Sequence, residues 1–242
     1  MGPVGRLIWR EEGGRGSTEL AYYGGLPVLT ATVYAPPKMG RWRKARRMRK
    51  TVQAFARAGV RQVIWADNCP WQSREAGFAP VEVEELYQAQ ADRLALAGLE
   101  ELGVPPGEGR VALVGSRLSI PLQRAAQRLC PQVKGLLLQV PGQGEDYARW
   151  LYGQYGLPMA PAGAGADVTV AFSPGGPRWG RSLEVYGRCE LDGLRLSAPQ
   201  LELPPDIEQP LLAVLWERGA LTGADLTVAA WQSGLDTPPR PW

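Results

Sequence analysis

Apolar positions along this chain fall into short β-branched runs separated by longer stretches of three- and four-residue periodicity, the alternation expected of strands and helices in turn. Residues 28–34 (Val-Leu-Thr-Ala-Thr-Val-Tyr) read as a strand, and Pro36-Pro37 end it because proline has no amide proton for a ladder. From Arg41 to Ala58, Trp42, Ala45, Met48, Val52, Phe55 and Ala56 recur at helical steps, with Gly59 where a C-terminal cap belongs. A second strand follows over 61–66. After the turn Asp67-Asn-Cys-Pro-Trp71, the periodicity predicts one helix from Val83 to Leu102, ended by Gly103.

The rhythm then repeats, with strand 111–114, helix 118–129, strand 135–140, helix 145–155 and strand 167–172, closed by Pro174-Gly-Gly-Pro177. Residues 6–9 and 19–23 predict a hairpin turning at Gly13-Gly14-Arg15-Gly16. Residues 183–203 predict short strands, Ile207–Arg218 a last helix, and Pro238-Pro-Arg-Pro241 a frayed end. Strands joined by helices require a largely parallel sheet with helices on both faces, since each crossover must return across the sheet. The expected fold is therefore α/β and doubly wound, with small β additions at the N-terminus and after residue 174. Its expected halves are 1–107 and 108–242, packed as one compact unit.

Composition narrows the chemistry. With 242 residues, 45% of them hydrophobic and 21% charged, the chain can bury a substantial core. It has no run of transmembrane length and no signal-peptide apolar region, so the cytoplasm is the expected location and no membrane partner is expected. Cys69, Cys130 and Cys189 are odd in number and widely spaced, which reads as reduced thiols. There is no histidine. Ser-His-Asp and Cys-His nucleophiles, histidine acid/base chemistry and imidazole zinc sites are thereby excluded, and no metal site is expected. Any catalysis falls to carboxylates, Lys, Cys, Tyr or a cofactor, and whether the chain is an enzyme stays open.

The segment Val111-Ala-Leu-Val-Gly115-Ser-Arg-Leu-Ser-Ile120 is a strand, a glycine turn and a helix start, and Ala166-Asp-Val-Thr-Val170 has the composition of a later buried strand. Together residues 110–174 resemble the first βαβαβ half of the Rossmann dinucleotide-binding fold. That resemblance implies a ligand at the carboxyl edge of the sheet, with Gly115, Ser116 and Arg117 in the phosphate-facing turn and Gln139 at the ribose position. Gly115 matches the first glycine of the pattern. Arg117 stands at the second, Pro121 lies one residue past the third, and Gln139 replaces the usual carboxylate. The expectation becomes an anion met by Arg117 rather than a pyrophosphate laid on bare backbone, and the cofactor stays unknown.

Two further clusters lie at carboxyl ends of strands. Asp67-Asn68-Cys69-Pro70 reads either as a turn bonding its own backbone or as a group in which Asp67 contacts a ligand. Lys38 to Lys50 holds eight basic residues and no acidic one, and outside it acids outnumber bases 24 to 19. The bland reading is a solvated helix face. The functional reading puts Lys38 and Arg41 against a bound anion, or the whole run against nucleic acid. Three functions therefore stand: binding of a nucleotide or phosphorylated small molecule, a non-catalytic scaffold with a protein partner or a second copy, and nucleic-acid binding, the least favoured.

Overall fold

In a computed structural model, which describes residues 2–71, 76–156 and 165–230, the chain forms two compact units. The first comprises residues 1–82 and 199–221, and the second 83–198 and 222–242. The expected division after residue 107 falls inside the second unit. The parallel strands are shared between two sheets, one per unit, so the fold is mixed α/β with mostly parallel pairing.

Unit one carries β1 (Val4–Arg10), β2 (Ser17–Tyr23), β3 (Leu26–Tyr34), β4 (Gln62–Ile64) and β5 (Ala79–Pro80), in the order β2-β3-β1-β4-β5. Only β2 runs antiparallel to its neighbour. The expected β1–β2 hairpin does not form, because β3 inserts between the two strands. The hairpin is β2–β3 instead. Tyr23 pairs with Leu26 across Gly24 and Gly25, whose φ angles of +54° and +79° suit the two-residue turn that matches strand twist.

Side-chain alternation places helices on both faces of this sheet. Leu7, Trp9, Ala31 and Val33 point to one side and bury Met48 and Phe55 of α1 (Arg41–Arg57). On the other side Arg6 pairs with Asp206 and Gln62 donates to Glu217 at 2.9 Å, which brings the last helix of the described residues (Glu208–Glu217) over that face.

Unit two opens with α2 (Glu84–Ala89) and α3 (Ala91–Glu101). The single helix expected over 83–102 breaks at Gln90, with φ −106° and ψ 14°. The Gln90 side chain is buried against Gly223 and accepts from Arg93 Nη1 at 3.3 Å, so a tertiary contact overrides the helical period. Then come β6 (Arg110–Val114), α4 (Ile120–Leu129), β7 (Gly135–Gln139), α5 (Gly144–Tyr155), β8 (Val168–Ala171) and β9 (Arg181–Glu184). β10 (Leu194–Ser197) pairs antiparallel with β11 (Thr227–Ala230) outside this sheet, and Glu208–Glu217 of unit one is α6.

The four parallel strands lie in the order β7-β6-β8-β9. The third strand, β8, therefore pairs with the first, where the Rossmann half places it beside the second. Residues Val111 to Val114 are almost wholly buried, as expected of a central parallel strand covered on both faces.

Candidate functional site

This strand order creates a switch point. From β6 the chain crosses to β7 on one side and from β7 returns past β6 to β8 on the other, so the connections diverge at the carboxyl ends of β6 and β8. Open α/β sheets bind ligands at such places. A cleft of about 890 Å³ lies there, with walls from the ends of β6, β7 and β8 and from the first turns of α5.

The β6 wall is Val114-Gly115-Ser116. Gly115 donates to the Gln139 carbonyl at 3.0 Å, and a Cβ on it would lie 2.8 Å from Leu122 Cδ1 and 3.2 Å from the Arg117 carbonyl. A glycine is what allows α4 to start so close to the strand. Ser119 caps α4 by accepting from the Leu122 N–H at 3.4 Å, and Pro121 fits the first turn, where no amide bond is lost. The Ser116 N–H donates to Ser173 Oγ at 2.7 Å and so ties the β6 turn to the loop after β8.

That loop, Ser173-Pro-Gly-Gly-Pro177, forms the opposite wall. Buried Thr169 fixes its far end by donating to the Trp179 carbonyl at 2.7 Å and accepting from the Trp179 N–H at 2.9 Å. Arg178 gathers the loop carbonyls, with Nη1 2.9 Å from Gly175 O and 3.3 Å from Gly176 O, and Glu184 balances it at 3.7 Å. Both glycines have φ of +80°. Because a trans peptide sets N–H antiparallel to C=O, the Gly176 N–H points away from the guanidinium that holds the Gly175 carbonyl. Among the described residues that N–H has no hydrogen-bond partner.

The third wall brings Gln139 from the end of β7 and Glu145, Ala148 and Arg149 from α5. Arg149 also pairs with Asp146 one turn away. Among the described residues Glu145 is the carboxylate of the lining and Arg149 its cation, and Gly142, Gly175 and Gly176 are exposed there while Gly115 and Gly144 are buried.

Of the residues singled out from sequence, the structure brings Gly115, Ser116 and Gln139 together around the cleft. Arg117 lies outside its lining. That side chain is exposed, and its carbonyl accepts from the Ser119 N–H at 3.0 Å. Asp67, Lys38 and Arg41 belong to unit one. Lys38 and Arg41 are exposed where β3 gives way to α1, and Asp67 is exposed in the turn after β4, where Asn68 donates to the Trp9 carbonyl at 3.4 Å and Cys69 to Ala66 O at 3.0 Å.

Sequence reasoning missed Arg149, Ser173 and the Gly175-Gly176 pair. The signal for the last two was present, since a Pro-Gly-Gly-Pro loop at a carboxyl strand end sits on the side where such sheets bind ligands. The thiols are poor nucleophiles: burial raises Cys69 despite a bond from the Trp71 backbone, pushes Cys130 up to about 11, and, helped by Glu84, pushes Cys189 up to about 12. Cys189 also lies in a turn, with φ of 49°, rather than in a strand. Among the described residues no helix is long and apolar enough to cross a membrane.

No protein-family model and no curated protein matches the chain. Among solved structures it is similar to a chorismate mutase/shikimate 5-dehydrogenase fusion protein from Clostridium acetobutylicum, at 10% identity and a TM-score of 0.25, over 72% of this chain and 68% of that one. It is also similar to a shikimate 5-dehydrogenase-like protein, at 10% identity and a TM-score of 0.25, over 70% and 66% of the two chains.

Proposed function

We propose that unit two binds a nucleotide or other phosphorylated small molecule in the cleft at the carboxyl ends of β6, β7 and β8. One observation carries this reading: a cleft of about 890 Å³ over the switch point, walled in part by glycine backbone, with a Gly176 N–H that has no partner among the described residues. Its volume lies within the range of small-molecule sites. Glycine walls let a phosphate approach amide groups closely, and Arg149 supplies the compensating charge. In this reading Gly115, Ser116 and Gln139 touch the ligand, with Gln139 able to bond a hydroxyl. Arg149 takes the anion-meeting role expected of Arg117. Lys38, Arg41 and Asp67 take no part.

The reading is of binding and leaves turnover aside, since the lining offers one carboxylate and the three thiols are held protonated. We place the protein in the cytoplasm, which suits three free cysteines. A thermal-shift screen with NAD(P), S-adenosylmethionine, ATP and sugar nucleotides tests the function. At about a hundredfold excess over Kd, a true ligand raises Tm by about 5 °C or more. The Arg149→Glu variant should lose that rise for phosphorylated compounds. No rise with any of them, or an unchanged rise in the variant, contradicts the reading.

A further inference from the structure

We propose that the outer face of α1 in unit one binds single-stranded nucleic acid, a role independent of the small-molecule cleft. At 3.6 residues per turn, buried Met48 and Phe55 mark the inward side of this 17-residue helix. Trp42, Arg43, Arg46, Arg49, Lys50 and Arg57 are all exposed on the side away from them. No acidic residue occurs between Arg41 and Arg57. Among the described residues none of these cations pairs with a carboxylate. Arg47 is the exception that has a structural task, since it donates to the Tyr34 and Gly14 carbonyls.

The helix breaks two rules of its own stability. Arg41, Arg43 and Lys44 sit in the first turn, which holds no acid and where the helix dipole disfavours cations. Arg43 faces Arg46 and Arg47, and Arg46 faces Arg49 and Lys50, at the spacings where like charges repel. Local rules broken without a local compensation mark functional surfaces. A polyanion supplies the missing compensation from outside.

Trp42 decides which polyanion. It is 67% exposed, and the Arg46 guanidinium lies 5.7 Å from its ring centroid, which leaves the remainder of the indole in water. An unpaired base can stack on that ring while adjacent phosphates track the arginines, the combination that single-strand binders use. A duplex would contact the cations alone and leave Trp42 without a role. A membrane surface fits poorly, because the apolar stripe of α1 is already spent on the core and Trp42 alone remains to insert.

Fluorescence anisotropy of the full chain with a labelled oligothymidylate of about twelve nucleotides tests this surface. If about four phosphates are neutralised, affinity falls about 50-fold between about 50 and about 200 mM salt. Trp42→Ala should weaken binding about tenfold. The double variant Arg46→Glu plus Lys50→Glu should weaken it more than tenfold and lower the salt slope, with an unchanged or raised Tm, because it relieves repulsion within the helix. Absence of saturable binding at the lower salt overturns the proposal. So does binding indifferent to the double variant, or tighter binding of a duplex, of anionic phospholipid vesicles or of polyglutamate than of the single strand.

Discussion

At the scale of single residues, glycines and buried polar groups set the geometry that matters. Gly180, with φ of +52°, stands where a Cβ would overlap the Asp167 carbonyl, the acceptor of the Arg181 N–H at 2.8 Å. Gly180→Ala should therefore lower stability by about 2 kcal/mol or more in urea denaturation, against a few tenths at an open surface site. Cys130 makes a pH-dependent counterpart. Its folded pKa is raised to about 11 from 9.0, so the folded state holds its proton longer than the unfolded chain, and the stabilisation present below pH 9 is lost as pH climbs towards 11. Near pH 8 its alkylation by iodoacetamide should be about a hundredfold slower than in the unfolded chain, followed by peptide mass spectrometry. A burst of labelling at Cys130 in the folded protein would contradict that. That Gly115, Ser116 and Gln139 line the cleft was legible because each stands at a strand end. Arg149 was not, because an arginine one turn into a helix looks the same in sequence whether it faces a cleft or water.

At the scale of elements, the helices and most strands were legible from period and capping, and the pairing of the strands was not. The Gly24-Gly25 turn is the instructive case. Gly13-Gly14-Arg15-Gly16 is the richer glycine cluster, yet two adjacent glycines of positive φ, Gly24 and Gly25, join β2 to β3. A Cβ on Gly25 would meet nothing within 4 Å, so only its φ resists substitution: Gly25→Ala should cost about 1 kcal/mol and Gly25→Asn less, because asparagine enters the left-handed region readily; thermal melts of the two variants separate them. In unit two, Asp92 near the start of α3 is buried and pairs with Arg128 of α4 at 3.3 Å. Arg128→Ala leaves that carboxylate without its cation, and chemical denaturation should register a loss of about 1–3 kcal/mol. The break at Gln90 was invisible in sequence because the residue its side chain packs against, Gly223, lies more than a hundred positions away.

At the scale of the whole chain, the alternation of strands and helices was legible as an α/β fold, and the assignment of its parallel strands to two sheets was not. Local periodicity says nothing about which sheet a strand joins, and here residues 199–221 return to unit one while 222–230 complete unit two. Strand order was hidden for the same reason. Only the pairing of β8 with β6 reveals the switch point, and the candidate site follows from it. Phosphorylated small molecules are proposed to bind above that point. Amide chemical-shift mapping of the isotope-labelled protein, titrated with the best compound from the thermal screen, tests it most directly. Saturable shifts should centre on Gly115, Ser116, Gln139, Gly175 and Gly176, largest at the Gly176 N–H. Shifts confined to other residues, or none at saturating compound, would contradict it.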